Sequence, residues 1–100
     1  MLLEALVACA GVTLSAVATA MGVEVRGGRI VADGHCDARG TLGIDRSVPV
    51  GLTDIALGFE LDTPADDATV HKLLELTERF CVIHQTLKSP PQLSAQLLTN

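Results

Sequence analysis

The stretch LLEALVACAGVTLSAVATAMG, residues 2–22, decides how the rest of the chain is read. No charged side chain occurs between Ala5 and Val23, a run close to the length of a membrane span. Ala18-Thr19-Ala20 after an apolar stretch also has the look of a signal-peptidase site. Against both readings, the opening Met-Leu-Leu-Glu carries an acid and no basic side chain, and Gly11, Thr13, Ser15, Thr19 and several alanines dilute the hydrophobicity. At about 100° per residue the side chains also sort by bulk. Leu3, Val7, Ala10, Leu14, Val17 and Met21 share one stripe, Ala5, Cys9, Val12, Ala16 and Ala20 a second, and Glu4, Gly11, Ser15, Ala18 and Gly22 the remaining sector. A secretory segment has no reason to sort in this way. A central helix has one: the bulky stripe packs on a sheet, and the small face lets another backbone come near. The segment reads as a buried helix of roughly 33 Å, ended by Gly22 as a C′ glycine.

Working outward, Val23-Glu24-Val25-Arg26 alternates apolar and polar, and Gly27-Gly28 suggests a bulge before Arg29–Asp33, so 23–36 reads as one long bent strand. Residues 37–50, rich in Asp, Gly and Pro, read as an extended loop. A second strand follows at about 52–62, with Ile55, Leu57, Phe59 and Leu61 alternating against Asp54, Gly58, Glu60 and Asp62. Thr63-Pro64-Ala65-Asp66 marks a helix start, with Thr63 as cap and Pro64 in the first turn. Val70, Leu73, Leu74, Thr77 and Phe80 then supply an amphipathic stripe, with Lys72, Glu75, Glu78 and Arg79 towards solvent. A short helix runs from Cys81 through Leu87, Pro90-Pro91 closes it, and Gln92–Leu98 alternates as a last edge strand. The order of elements is that of an α+β fold and not a doubly wound one. A long apolar first helix needs more cover than these elements provide, so either N-terminal strands or a partner subunit is expected to supply it.

The whole chain of 100 residues is one domain in size. It is 48% hydrophobic and 19% charged, which excludes a disordered tail. Two phenylalanines are its only aromatic residues, which argues against single-stranded nucleic-acid binding. Twelve acids against seven scattered bases give a net charge of −5, the wrong sign for a phosphate-backbone partner. Neither nucleic acid nor membrane is expected as a partner. Three cysteines are an odd number, so a fully paired disulfide scaffold is excluded and a reducing, cytoplasmic compartment is expected.

Chemistry is sought first at Cys9, inside the apolar helix, and at Cys81, where one helix gives way to another. Unsatisfied amides at the start of the short helix would favour the Cys81 thiolate, and His84, three residues on, could add charge or a hydrogen bond. Two thiols among aliphatic side chains suit a two-cysteine peroxidase, in which one sulfur becomes a sulfenic acid and the other condenses with it. Nothing local requires the two to meet, and buried free cysteines are often simply small hydrophobes. Cys81-Val82-Ile83-His84 also has metal-ligand spacing, with Cys9 as a third ligand, but a structural zinc commonly uses two such close pairs and only one is present, so no metal is expected. His35 and Cys36 read as ordinary strand residues, His71 as solvent-facing, and no serine carries a nucleophile elbow.

Three segments in this order resemble the OsmC/Ohr family, the osmotically induced and organic-hydroperoxide-resistance proteins. Leu2-Leu3-Glu4-Ala5-Leu6-Val7-Ala8-Cys9 is similar to the opening of that family's central helix. Residues 37–45 and 48–52 resemble the loop after the long strand in the OsmC-like branch. Arg79-Phe80-Cys81-Val82-Ile83-His84-Gln85-Thr86-Leu87 is similar to the segment around the family's second cysteine, with Val82 where proline is usual. The resemblance implies a single OsmC-like domain over 1–100 and a thiol-dependent peroxidase acting on hydroperoxides, with Cys9 peroxidatic and Cys81 resolving. It further implies an intertwined homodimer in the cytoplasm, a dithiol or lipoyl reductant and no bound cofactor. The family's N-terminal strands, and the arginine they supply, precede the helix at which this sequence begins, so an N-terminally shortened domain is expected. A non-catalytic OsmC-like protein, a dimeric structural or apolar-ligand-binding module, is the alternative.

Overall fold

In a computed structural model that describes residues 1–98, the chain begins with the helix α1, Leu2–Met21. Gly22 ends it in the left-handed region at φ 72°, ψ 24°, and the Val23 amide closes the turn on the Ala18 carbonyl at 2.9 Å. The strand β1 spans Gly27–His35 and pairs antiparallel with β2, Asp54–Asp62, in unbroken register from Gly27↔Asp62 to His35↔Asp54. A four-residue helical turn, α2 (Ala38–Thr41), lies between them. The helices α3 (Asp67–Phe80) and α4 (Val82–Lys88) complete the ordered elements. The architecture is α+β, as the sequence predicts: one antiparallel pair of strands with helices packed against it.

α1 is the hub. It touches β1, α3 and α4, and the sheet meets the later helices chiefly through it. Its N-terminal half contributes Leu6 and Ala10 to a cluster with Cys81, walled by Ile30, Ala32, Ile55, Leu57 and Phe59 of the sheet and by Ile83. Its C-terminal half contributes Leu14 and Ala18 to a second cluster around Leu73 of α3. The buried line is therefore Leu6, Ala10, Leu14 and Ala18, rotated slightly from the predicted bulky stripe. Leu3, Val7, Val17 and Met21 are half-buried beside it. The rotation has a physical cause: α1 lies between the sheet and two helices, so small residues are buried where a helix backbone approaches. The predicted small face is the open one. Ala5, Ala16 and Ala20 are exposed, and Val12 is 73% exposed. By length and composition α1 could also cross a membrane, a test that core helices and signal sequences pass equally.

Several boundaries differ from the predicted ones. Residues 23–26 precede β1, though the Arg26 amide still reaches the Asp62 carbonyl at 2.8 Å. Gly27-Gly28 makes no bulge. Instead Gly28 has φ 150°, and a Cβ there would collide with the Glu60 carbonyl oxygen. The predicted loop at 37–50 contains α2, which Asp37 caps by accepting from the Arg39 amide at 3.0 Å. α3 begins after Asp66, not Thr63. The Thr63 hydroxyl donates to the Glu24 carbonyl at 2.5 Å and accepts from the Ala65 amide at 3.2 Å, ahead of the helix, while Asp66 caps α3 by accepting from the Thr69 amide at 3.0 Å. Phe80, predicted on the apolar stripe, lies 60% exposed under the Arg79 guanidinium. The predicted edge strand at 92–98 is not a strand: that segment pairs with neither β1 nor β2, and Leu93, Leu97 and Leu98 are exposed.

Candidate active site at a pair of thiols

Cys81 serves as the last cap of α3 and the first of α4. Its amide donates to Thr77 and its carbonyl accepts from Gln85, both at 3.0 Å, across an extended backbone at φ −74°, ψ 114°. The break between the two helices turns its side chain inward, against Leu6 and Ala10, where it is 1% exposed. The same break leaves the first amides of α4 without intrahelical acceptors. Those amides face sulfur.

Cys9 reaches this point from α1, half-buried on the border between the buried line and the open face. The Ile83 amide, then the Cys81 thiol, then the Val82 amide and the Thr13 hydroxyl hold the Cys9 thiol below its ordinary value, against an opposing desolvation. Cys81 moves the other way. Burial pushes its thiol up, and the neighbouring Cys9 adds to the effect, while the amides of His84 and Ile83 only partly offset it. The surroundings push the two thiols in opposite directions, Cys9 towards its thiolate and Cys81 towards its protonated form. This corrects the expectation that the start of α4 would favour the Cys81 thiolate: its donors serve both sulfurs, but Cys81 is the more deeply buried.

The two cysteines singled out in the sequence are thus brought together. His84 is placed next to them but in a different manner from that expected. Its backbone amide serves Cys81, whereas its ring is half-buried and Nδ1 has no hydrogen-bond partner. The ring instead lines an open cavity of about 610 Å³ with Leu2, Leu6, Ile55, Leu57 and Leu87. Asp54, Glu78 and Lys88 also border that cavity. Among the described residues no cationic side chain acts on the Cys9 thiol. Arg39 is tied to Asp37, its Nη2 2.6 Å from the carboxylate, and Arg79 lies over Phe80. Cys36 is exposed just beyond β1, away from the pair, and His71 is exposed on α3. Among the described residues no three His, Cys, Asp or Glu side chains converge in a manner that would hold a metal ion.

The Thr13 hydroxyl escaped the sequence reading, and the amides at the start of α4, expected to serve Cys81, act on Cys9 as well through Val82 and Ile83. Thr13 stands four residues after Cys9, and that helical spacing would have pointed to it. The reach of those amides to Cys9 has no side-chain signature and emerges only once α4 is aimed at α1.

A long α1 packed on an antiparallel pair of strands, with one thiol from its first half facing a second thiol at an inter-helix break, defines a class of α+β proteins with a cysteine pair in the core. The family described as OsmC-like protein matches residues 1–96, and the chain belongs to it. Its structure is similar to the crystal structure of an OsmC-like protein from Mycoplasma pneumoniae, with a TM-score of 0.77 and 24% sequence identity. The match covers 89% of this chain and 60% of that one, so this chain spans about three-fifths of that relative's length. No curated protein matched the sequence.

Proposed function

We propose that the protein is a thiol-dependent peroxidase that reduces organic hydroperoxides, or hydrogen peroxide, with Cys9 peroxidatic and Cys81 resolving. The observation that carries this reading is the placement of two free thiols together at the α3–α4 break, Cys81 sealed in the core and Cys9 half-buried against the same cluster, in surroundings that favour the Cys9 thiolate and the Cys81 thiol. A peroxidatic sulfur reacts as its thiolate, and the resolving sulfur keeps its proton until a sulfenic acid is in place.

In the first step the Cys9 thiolate attacks the terminal oxygen of the hydroperoxide. An S–O bond forms, the O–O bond breaks, and the alkoxide leaves as the alcohol after taking a proton. In the second step the Cys81 sulfur attacks the Cys9 sulfur of the sulfenic acid. The S–S bond forms, and the departing hydroxide takes the Cys81 proton and leaves as water. An external dithiol, such as a lipoyl group, then exchanges with the disulfide, restores both thiols and is itself oxidised to a disulfide. No bound cofactor is required. The open face of α1 supports a homodimer in which a second copy covers Ala5, Val12, Ala16 and Ala20, and the odd set of three free cysteines supports a reducing, cytoplasmic setting.

A second reading has its own observation. Among the described residues no arginine or lysine acts on the Cys9 thiol, and the cavity beside His84 is lined in part by Leu2, Leu6, Ile55, Leu57 and Leu87. These features favour a non-catalytic OsmC-like module that dimerises or binds a small apolar molecule. Intact mass of the reduced protein, before and after one equivalent of cumene hydroperoxide, separates the two. The peroxidase loses two hydrogens as the disulfide forms, and a Cys81→Ser variant gains oxygen at Cys9. An unchanged mass in folded protein refutes the peroxidase reading and leaves the binding module.

A further inference from the structure

The cavity beside His84 lies next to the thiol pair, yet neither Cys9 nor Cys81 is among its walls. Leu2 and Leu6 of α1, Leu52, Ile55 and Leu57 around the start of β2, and Leu87 of α4 surround its roughly 610 Å³ with aliphatic side chains. Small-molecule sites have this size and combine apolar walls with a few placed polar groups. His84 supplies one such group. Its Nδ1 is buried without a hydrogen-bond partner, the one side-chain nitrogen or oxygen in that condition among the described residues. A neutral imidazole carries one proton, and on Nδ1 that proton would be a buried donor with no acceptor. The proton therefore belongs on Nε2, and the accessible edge of the ring offers the cavity an N–H.

We propose that this cavity binds an aliphatic carboxylate, its chain among the leucines and its head group between His84 and Lys88. Positions 84 and 88 are one turn apart on α4, hence neighbours on one face of the helix, and both border the cavity. Their donors, an N–H and an ammonium, converge on one head group, and a carboxylate accepts from both. Lys88 makes no ion pair among the described residues, so no other carboxylate competes for it. The two acids at the cavity do not converge in this way. Asp54 comes from β2, and one of its carboxylate oxygens pairs with His35 at 2.8 Å while the other accepts from the Thr53 hydroxyl at 2.9 Å. Glu78 stands on α3, and its exposed charge opposes an anion only weakly. Lys88 is exposed as well, so the preference is modest in size and comes from the two α4 donors acting together. The proposal rests on the binding-module reading above, for which it names the ligand class. It is independent of the peroxidase reading, since no sulfur lines the cavity.

The test varies the head group on one chain. Sodium hexanoate, hexan-1-ol and hexylammonium chloride are each titrated into the reduced, nitrogen-15-labelled protein at about pH 7.5, and the amide shifts give both affinity and place. Hexanoate is expected to bind with a dissociation constant on the order of 1 mM, moving the amides of residues 52–57 and 84–88. Hexylammonium is expected to bind about fivefold more weakly. Lys88→Gln and His84→Phe should each weaken hexanoate about three- to fivefold, and Lys88→Gln should leave hexan-1-ol within about twofold. Glu78→Gln should tighten hexanoate by up to about threefold. Hexan-1-ol or hexylammonium that matches hexanoate in the wild type overturns the carboxylate assignment and leaves an apolar-molecule site standing; this comparison needs no variant to fold. Hexanoate binding indifferent to Lys88→Gln and His84→Phe overturns it too. Shifts centred on the exposed arc of α1, or none with any probe at about 20 mM, overturn binding in the cavity and the binding-module reading with it.

Discussion

Val82→Pro removes a single donor from the site and disturbs almost nothing else. Proline has no amide proton, so the Val82 contribution to the Cys9 thiolate disappears. Position 82 is the first residue of α4, where proline is well tolerated because that amide makes no intrahelical bond. The residue before a proline must be extended, and Cys81 already is, at φ −74° and ψ 114°. The Val82 side chain is 69% exposed, so little packing is lost. Stability is thus expected to stay within about 0.5 kcal/mol of the wild type. The electrostatic loss is larger. A hydrogen bond to a charged group contributes about 1.5–3 kcal/mol, but Val82 ranks behind Ile83 and Cys81 as a cause, so the lower end or less applies. A loss of about 1 kcal/mol raises the Cys9 midpoint by ~0.7 of a pH unit and cuts the thiolate fraction about fivefold at a fixed pH below it. The assay is Cys9 alkylation against pH, run beside urea unfolding. An unchanged or lowered midpoint, with stability intact, would show that the amides of α4 do not hold the thiolate.

Leu73 is fully buried where α3 meets Leu14 and Ala18, so Leu73→Ala is expected to cost about 2–5 kcal/mol in urea unfolding; a loss below about 1 kcal/mol would mean that the α1–α3 junction is not a packed core. The ion pair His35 Nδ1–Asp54 Oδ2, 2.8 Å across the strand ends, raises His35 through the hydrogen bond first and the Asp54 charge second, and lowers Asp54 through the His35 bond first. A raised histidine stabilises the fold fully below its unfolded value of 6.5 and loses that contribution as pH rises through its folded value. The advantage of wild type over His35→Gln should therefore be larger near pH 5.5 than near pH 8.5, and the reverse order would refute the pairing. Val12→Glu places a charge in the middle of the open face of α1; sedimentation should give a dimer for the wild type and a monomer for the variant, and a monomeric wild type would exclude the homodimer.

Most of the fold could be read from the residues because its signals are local. Ile55, Leu57, Phe59 and Leu61 alternate and form the inner face of β2, and Gly22 adopts the left-handed turn expected of it. The misreadings arose where a side chain had two possible uses. Thr63 has the chemistry of a cap and does accept from the Ala65 amide, but it closes a turn before the helix while its proton goes to Glu24, a partner 39 residues away in the chain. Leu93, Ala95 and Leu97 alternate as a strand should, yet a strand also needs a neighbour, and alternation does not provide one. The site divides in the same way. Cys9 and Cys81 stand out as residues, while the direction in which each titrates follows from burial and from amides that only the packing of α4 on α1 brings into range.

That division bears on how the site would be regulated by its surroundings. Cys81 is sealed by Leu6 and Ala10, so its own solvation is set by the chain's core, and it feels the surroundings only through Cys9. Cys9 sits on the border of the exposed arc of α1 that carries Ala5, Val12 and Ala16. Whatever covers that arc changes the solvation of Cys9 directly and acts on Cys81 only through the charge on Cys9. Excluding water from a partly charged sulfur strengthens each hydrogen bond it accepts but raises the cost of its charge. The donors from Ile83, Val82 and Thr13 are already in place on the protein side, so the first effect has groups to act through. Covering the arc with a second copy would therefore deepen the asymmetry between the two thiols only while those donors remain. The Cys9 midpoint of Val12→Glu, compared with that of the wild type across protein concentration, measures the balance directly: if the donors dominate, dilution of the wild type moves its midpoint up towards that of the variant, and if desolvation dominates it moves down.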